Sequence, residues 1–425
     1  MTSIQSVLAA FVIILIDLLG RAGLDKVLAL TGGPTVVALW AQLQSVLELV
    51  TAVALTGVLQ GLTVMIAQTG ESRNESSLLR ATLKLGMGAA LAVALIVAIA
   101  AHPISRILTQ DRIAPDLFWL AALAGCIAII PATLNSYWLG KHQQQRMLRL
   151  SVLTNSVLLL VAAGAWLELS LRGLMWVQSL ALAIIGIAVW GRLFKLSQPV
   201  DGQSEETEYL RKLARFVPVG LAIGIMSPVS MLLVRGILAD TLSWDDVGFI
   251  QALWRSTEWV TATAAGVLSL IFLPRLSNAY GSARFAKELL RAGNMVLIPA
   301  ICLLLLIYFN QRAMLSTLYD ARFAVSNTTA ALFMLGSGIR VASWIFLFGL
   351  FAAHRTKLLV VGEMLSLPLY ALLLWLYADG MTLERAAQLY LVSYLVYLVF
   401  NAVALLYSSR NIFLPGNNSS YYPPP

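Results

Sequence analysis

The sequence has few charged residues. Only 12% of its 425 residues are Asp, Glu, Lys or Arg, whereas 59% are hydrophobic, and the mean hydropathy is +0.81. Soluble domains carry about 25% charged residues, so this chain has too few charges to cover a water-exposed surface. The shortage excludes a soluble globular fold and indicates that lipid is the solvent for most of the chain.

Cysteine and histidine are also scarce. Cys126 and Cys302 lie in separate apolar runs and the three histidines are scattered, which excludes a disulfide framework and argues against a metal site. The sequence has no Gly-x-x-x-x-Gly-Lys-Ser/Thr loop, so we expect no built-in ATPase. The outer loops are too short for a catalytic domain. We therefore predict a protein that is not an enzyme and that uses no cofactor.

Long apolar runs follow one another along the chain. A helix needs about 20 apolar residues to cross the hydrocarbon core, and backbone groups in lipid must be satisfied within each segment. The runs therefore predict an all-α polytopic membrane protein with about 12 transmembrane helices. The N-terminus has no basic segment or cleavage site before Asp17, so we expect a first membrane helix there. The predicted spans are 5–30, 36–68, 82–101, 115–139, 147–168, 172–194, 212–239, 246–273, 290–309, 325–352, 357–378 and 385–408.

Lys and Arg are unequally distributed between alternate loops. If the N-terminus lies inside, the cytoplasmic segments carry eighteen of them and the opposite loops carry six. Cytoplasmic loops are enriched in Lys and Arg, so we predict a multi-pass protein of the bacterial inner membrane with both termini in the cytoplasm. The net charge of +8 has the same explanation, and we expect no nucleic-acid partner.

The two halves of the chain resemble each other. Residues 48–54 (Glu-Leu-Val-Thr-Ala-Val-Ala) recur at 258–264 as Glu-Trp-Val-Thr-Ala-Thr-Ala, and 78–81 recur at 289–292. Each half holds six spans, so both halves enter the membrane from the same side. The repeat therefore predicts two parallel six-helix lobes around a central cleft, as in transporters. The predicted domains are an N-terminal lobe, a flexible cytoplasmic linker, a C-terminal lobe and a disordered tail, at 1–196, 197–210, 211–410 and 411–425.

Ten charged side chains remain within the predicted spans. Each costs ~2.5–3.5 kcal/mol at a helix centre, so these side chains must pair with one another or face a wet cavity. The bases are Arg21, Lys26, Arg235, Arg255 and Arg340, and the acids are Asp17, Asp25, Glu48, Glu258 and Glu363.

Two interpretations of these charges stay open. In the structural one they neutralise each other: Asp17 and Arg21 are four residues apart and Arg255 and Glu258 are three apart, so each pair shares a helix face. In the functional one the five bases line a cleft for an anionic head group, and the acids form pairs or couple transport to an ion. The acids in question are Asp17, Glu48, Glu258 and Glu363, and two of them, Glu48 and Glu258, occupy equivalent places in the halves.

Four short motifs are spread along the chain: Lys26–Leu30 followed by Gly33-Pro34, Ser243–Gly248 followed by Gln251, Leu273–Ser277, and Ala387–Tyr390 followed by Tyr394–Tyr397. Together they resemble the Wzx-type polysaccharide flippases, in particular those for O-antigen and enterobacterial common antigen units. These flippases form the polysaccharide branch of the multidrug/oligosaccharidyl-lipid/polysaccharide exporter superfamily. Lys26 falls on a basic position of the family pattern.

The resemblance implies that the chain flips an undecaprenyl-diphosphate-linked oligosaccharide from the cytoplasmic to the periplasmic leaflet by alternating access, as lipopolysaccharide biosynthesis requires. Buried arginines suit this cargo because they bind phosphate bidentately. The implied partners are the lipid-linked oligosaccharide, membrane lipids and the glycan polymerase machinery. Two alternatives stay open, a cation-coupled multidrug exporter of the same superfamily and a membrane glycan polymerase or ligase.

Overall fold

The computed structural model of the chain is almost entirely helical, and it describes residues 3–69, 75–141, 143–198, 203–282 and 284–409. The predicted tail at 411–425 lies outside the described residues. Three segments within them are π-helical, at Ala54–Val58, Gly220–Gly224 and Leu268–Phe272. The α-helices are α1 (Ser3–Val53), α2 (Leu59–Thr69), α3 (Glu75–Ile99), α4 (Ala101–Thr109), α5 (Pro115–Gly140), α6 (Gln144–Trp166), α7 (Leu171–Leu196), α8 (Gln203–Ala214), α9 (Val217–Val219), α10 (Met226–Thr241), α11 (Trp244–Val267), α12 (Leu273–Ala279), α13 (Arg284–Phe309), α14 (Gln311–Leu318), α15 (Asn327–Ala352), α16 (Thr356–Met364), α17 (Leu367–Leu376) and α18 (Leu383–Ser408).

Ten helical runs within the described residues are long and apolar enough to cross a membrane. One of them, Leu15–Ala67, is 53 residues long and covers the first two predicted spans. The predicted span at 212–239 is divided between α9, a π-helical segment and α10, which explains its absence from the ten. The prediction of an all-α polytopic membrane protein is confirmed.

The long helix α1 has a kink at its centre. Gly33 adopts a left-handed conformation with φ 72°, and Pro34 follows it. Proline lacks an N–H and clashes with the preceding turn, so the helix must change direction here, and only glycine adopts the left-handed conformation without a steric cost. The kink lies between the first two predicted spans, as the sequence indicated.

The described residues form two compact units. Unit 1 comprises the residues up to Gly248 together with Leu318–Arg322, and unit 2 comprises Phe249–Thr317 and the residues from Phe323 onwards. The boundary therefore lies within α11 and not at the expected linker, because α10 packs against α1. The division into lobes at 197–210 stays a prediction.

The predicted flexible linker at 197–210 is helical in its second part. Its second part is the start of α8, which packs on α3 through Glu206. The Glu206 carboxylate lies 3.2 Å from Arg80 Nε and 2.5 Å from Lys84 Nζ. Two ion pairs to one helix hold this part of the chain in place, so the predicted linker is partly helical.

Two π-helical segments of unit 1 cross at very short range. A Cβ on Gly57 would lie 2.8 Å from the carbonyl oxygen of Phe216, and one on Gly220 would lie 2.6 Å from that of Val53. Both distances are shorter than a carbon–oxygen contact allows, so both positions require glycine. These glycines let the two backbones touch.

Candidate functional site

The clearest charged site in unit 2 is an arginine surrounded by aromatic rings. The guanidinium carbon of Arg340 on α15 lies 4.8 Å from the ring centroid of Trp344, 5.5 Å from that of Trp254 and 5.6 Å from that of Tyr394. We call these three rings the aromatic box. A cation within about 6 Å of a ring is attracted by the negative π-face. The box therefore stabilises the positive charge without removing it.

Further aromatic side chains hold the box in position. Tyr390 stacks on Phe333 with centroids 4.3 Å apart, and it meets Trp254 edge-on at 5.5 Å and Tyr394 at 4.8 Å. The Tyr390 hydroxyl lies 3.2 Å from Ser337 Oγ. These contacts join α11, α15 and α18, so the rings around Arg340 have little freedom to move.

Arg255 and Glu258 form the ion pair that their spacing predicted. Arg255 Nη1 donates to Glu258 Oε2 at 2.6 Å, and the arginine side chain is 17% exposed. Arg340, in contrast, forms no ion pair with any described residue. Glu258 and Glu363 act on it only at longer range. Arg255 and Arg340, the two predicted site arginines in unit 2, are thus neutralised to different degrees.

Glu363 lies near the end of α16 and contacts α18. Its Oε1 accepts a hydrogen bond of 2.9 Å from the hydroxyl of Tyr397. The membrane segment is broken just after it, since α16 ends at Met364 and α17 begins at Leu367. At the break, the Ser366 hydroxyl donates a hydrogen bond of 2.6 Å to the Glu363 carbonyl and so satisfies this backbone acceptor. A carboxylate is thus placed inside unit 2 at a discontinuous helix.

Unit 1 contains a second group of the predicted charges. Arg21 Nε lies 3.0 Å from Asp17 Oδ2, as their spacing predicted, and Nη1 lies 3.8 Å from Glu48 Oε1. Glu48 is half exposed, with 53% of its side chain accessible. Glu48 and Glu258, the equivalent acids of the two halves, therefore each lie beside an arginine.

Arg235 is buried in unit 1 and donates hydrogen bonds to α1. Its Nη1 lies 2.8 Å from Ser45 Oγ, 3.2 Å from the Ala41 carbonyl and 3.4 Å from Gln42 Oε1. Gln42 in turn donates to the carbonyl of Leu232 at 3.0 Å. These contacts join α10 to α1, so the residue has a structural task in addition to the binding role predicted for it.

Lys26 lies close to the segment Leu318–Arg322 of unit 1. The hydrogen bond from Arg322 holds the pKa of Asp320 below its usual value, and the charge of Lys26 acts in the same direction. Arg322 Nη2 also donates to the Ala29 carbonyl at 2.8 Å. Asp25, next to Lys26, is buried with 6% exposure.

The structure thus brings the predicted residues together in two places. Asp17, Arg21 and Glu48 meet in unit 1, and Arg255, Glu258, Arg340 and Glu363 lie in one region of unit 2. Within the described residues no three side chains of His, Cys, Asp or Glu are grouped to hold a metal ion. Both cysteines are free, Cys126 buried and Cys302 exposed.

The sequence did not indicate the box or its support. No prediction concerned Trp344, and the tyrosines of α18 belong to one of the four short motifs. Positions 390, 394, 397 and 401 follow one another at intervals of four, three and four residues, which is the spacing of one helix face. This spacing predicts that the four side chains share one face of the helix. In the structure all four are buried in unit 2.

Comparisons with known proteins find flippases and transporters that are similar to the chain. No protein-family model matches the chain. The chain is 22% identical over 381 residues to the lipid III flippase of Escherichia coli (strain K12), which covers 88% of this chain and 90% of that protein. The lipid III flippase of Shigella flexneri matches to the same extent.

Solved structures share the fold. A multidrug resistance MATE family transporter of the MOP superfamily, in an inward-facing conformation, matches with a TM-score of 0.69 at 11% identity, over 94% of this chain and 93% of that one. A MOP superfamily transporter from Pyrococcus furiosus matches with a TM-score of 0.59 at 13% identity, over 96% and 92%. These relatives are flippases and transporters and not enzymes, in agreement with the prediction. The structural likeness shows that this multi-pass membrane protein shares its fold with these transporters.

Proposed function

We propose that the chain is a flippase that moves an undecaprenyl-diphosphate-linked oligosaccharide of the O-antigen or enterobacterial common antigen type across the bacterial inner membrane. The head group passes from the cytoplasmic to the periplasmic leaflet by ion-coupled alternating access. The distribution of Lys and Arg between the loops supports cytoplasmic termini. The likeness to proteins named lipid III flippases supports a lipid-linked cargo.

The observation that carries this proposal is the charge state around Arg340. A membrane-buried arginine normally requires an acid partner, as Arg255 has in Glu258. Arg340 is held by π-faces instead, so its positive charge remains available to an added anion. Arginine is suited to a diphosphate because its planar fork binds two phosphate oxygens at once.

The other predicted bases fit the proposal less directly. Arg21 and Arg255 have carboxylates close by, and Arg235 uses its N–H groups to join α10 to α1. We therefore assign the diphosphate to Arg340 first, and we keep Arg21, Lys26, Arg235 and Arg255 as weaker contributors. The glycan polymerase machinery is the proposed downstream partner.

A multidrug exporter of the same superfamily is the second candidate. The aromatic box with a nearby carboxylate, Glu363, is an environment that could also take an organic cation. An exporter of organic cations should transport its substrate faster without the positive charge of Arg340. A flippase for a diphosphate should instead lose activity. The sign of the effect of Arg340→Ala therefore separates the two candidates.

The proposal is tested in cells by deleting the gene. We expect lipid-linked oligosaccharide to accumulate on the cytoplasmic face while surface glycan is lost, and we expect the wild-type gene to restore both. Arg340→Ala should fail to restore surface glycan, whereas Arg312→Ala, an exposed arginine of unit 2, should restore it. Accumulation on the periplasmic face would contradict the proposal.

A further inference from the structure

The helices α6 and α7 of unit 1 contain no Asp and no Glu. They are joined by a short loop at 167–170 and pack against each other, so the start of α6 and the end of α7 lie at the same end of the pair. Four bases lie at this end, Arg146 and Arg149 in the first two turns of α6 and Arg192 and Lys195 in the last two turns of α7. We call these four side chains the basic rim.

The basic rim has no counter-charge in the part of the chain that the structure describes. All four side chains are exposed, and none of them forms an ion pair with a described residue. Other exposed bases differ in this respect. Lys84, Lys212 and Arg291 lie 2.5 Å, 2.6 Å and 2.8 Å from a glutamate oxygen. The rim therefore presents a net positive charge that attracts an anion.

The neighbouring side chains position the rim without neutralising it. The guanidinium carbon of Arg192 lies 5.3 Å from the ring centroid of Trp138, at the end of α5. An aromatic face attracts a cation and leaves its net charge in place. The Glu75 carboxylate on α3 is already engaged, because it accepts hydrogen bonds from the Tyr137 hydroxyl and from Lys141.

The helix faces that continue from the rim into the membrane are apolar and exposed. On α6, Leu153 is 42% and Leu160 is 52% exposed, and they follow Arg149 at the spacing of one helix face. On α7, Ile184 and Ile187 are 68% and 76% exposed. Apolar side chains that are so exposed in a membrane span face hydrocarbon chains. The surface as a whole therefore fits an amphiphile with an anionic head group.

From these features we propose that the basic rim binds the phosphate group of an anionic phospholipid whose acyl chains lie along the exposed faces of α6 and α7. Arginine forks bind two phosphate oxygens at once, and basic groups between membrane helices at the cytoplasmic side bind anionic lipid head groups. In the proposed orientation the rim lies at the cytoplasmic leaflet. The inference goes beyond the proposed function and does not depend on the identity of the cargo.

Lipid binding to the purified protein tests the proposal. The full-length chain in detergent micelles is titrated with phosphatidylglycerol or with the net-neutral phosphatidylcholine of the same acyl chains, and native mass spectrometry counts the bound lipids. We expect the wild type to bind phosphatidylglycerol roughly tenfold or more tightly than phosphatidylcholine. The variant Arg149→Gln/Arg192→Gln/Lys195→Gln should lose roughly tenfold or more of this affinity, because the phosphate loses its donors.

The matched control is Lys84→Gln/Lys212→Gln/Arg291→Gln. It removes the same amount of positive charge, but from exposed bases that have carboxylate partners, and it should bind phosphatidylglycerol like the wild type. Equal affinity of the wild type for the two lipids would overturn the inference, and this result needs no variant to fold. An equal loss of affinity in the two monodisperse triple variants would also overturn it, because only the net charge would then matter.

Photocrosslinking locates the bound lipid. Phosphatidylglycerol with a diazirine in one acyl chain should label peptides of α6 and α7, and labelling that omits both helices would overturn the site. An equimolar amount of undecaprenyl diphosphate should leave this labelling unchanged. If it displaces the phospholipid instead, the choice of occupant is overturned and the surface belongs to the cargo of the proposed function. Loss of the proposed transport activity would leave the lipid site standing.

Discussion

At the scale of single residues, the two predicted site arginines of unit 2 differ in the groups that surround their charge. Arg255 has a carboxylate at 2.6 Å, whereas Arg340 has three aromatic rings. A carboxylate cancels the charge and occupies N–H donors, but an aromatic face leaves the net charge in place. The same residue type thus serves structure at one position and recognition, as we propose, at the other.

The ion pair should show its structural role in a double-mutant cycle. We expect Arg255→Ala to lower the Tm of the purified protein because it leaves Glu258 without its partner in the membrane. The double variant Arg255→Ala/Glu258→Ala should be more stable than Arg255→Ala alone. The Tm of each variant is measured by thermal unfolding, with size-exclusion chromatography as the readout. Additive effects of the two substitutions would contradict the assignment.

The aromatic box should depend on the ring and not on the hydroxyl of Tyr394. We expect Tyr394→Phe to retain stability and transport, whereas Tyr394→Leu should lose ~0.5–2 kcal/mol of cation–π attraction on Arg340. Transport of the lipid-linked substrate and the Tm of both variants provide the measurement. A larger loss in the phenylalanine variant than in the leucine variant would show that the hydroxyl is the important group.

At the scale of the helices, hydropathy alone located nearly every membrane segment. The ion pairs Asp17–Arg21 and Arg255–Glu258 were also predictable, because helical spacing fixes them locally. The break between α16 and α17 could be suspected from Pro368. The π-helical segments have no such local signal. The two in unit 1 lie at a close approach of two backbones that are about 160 residues apart in the chain.

The surroundings of Arg340 and Asn401 could not be predicted for the same reason. The box combines residues of α11, α15 and α18, and Asn401 meets Gly362 of another helix. Helix spacing places Tyr390, Tyr394, Tyr397 and Asn401 on one face, but only the packing decides what that face meets. The sequence therefore identifies the charged side chains that lie within membrane spans, but it does not predict which residues they contact.

The glycine crossing in unit 1 can be tested at Gly220. An added Cβ would lie 2.6 Å from the Val53 carbonyl, and a backbone atom is not easily displaced, so Gly220→Ala should destabilise the protein by ~1–3 kcal/mol. Gly88→Ala is the matched control, since no atom lies within 4 Å of its Cβ. It should be neutral or stabilising, by about 0.5–1 kcal/mol. Equal Tm values for the two variants would contradict the close crossing.

At the scale of the whole molecule, the proposed orientation in the membrane follows from the loops. The bias of Lys and Arg places the 143–149 region in the cytoplasm and the 310–326 region outside. The latter contains the Asp320–Arg322 pair. The direction of transport depends on this orientation, because only the cytoplasmic leaflet receives newly made lipid-linked units in the proposed scheme.

Cysteine labelling in intact cells checks the orientation. In a Cys126→Ala/Cys302→Ala background, single cysteines are introduced as Arg312→Cys or Gln145→Cys, both at exposed positions. A membrane-impermeant maleimide should label Arg312→Cys in intact cells and Gln145→Cys only after the inner membrane is permeabilised. The opposite pattern would invert the proposed topology.

The central claim is that Arg340 binds the anionic head group of a lipid-linked substrate during transfer between leaflets. Its most direct test is a flipping assay in proteoliposomes that contain undecaprenyl-diphosphate-linked oligosaccharide and the purified protein. We predict that the wild type and Arg312→Ala move the substrate between leaflets, that Arg340→Ala slows transfer roughly tenfold or more, and that Arg340→Lys is intermediate because lysine lacks the fork. Transfer at the wild-type rate by a correctly folded Arg340→Ala protein would contradict the account.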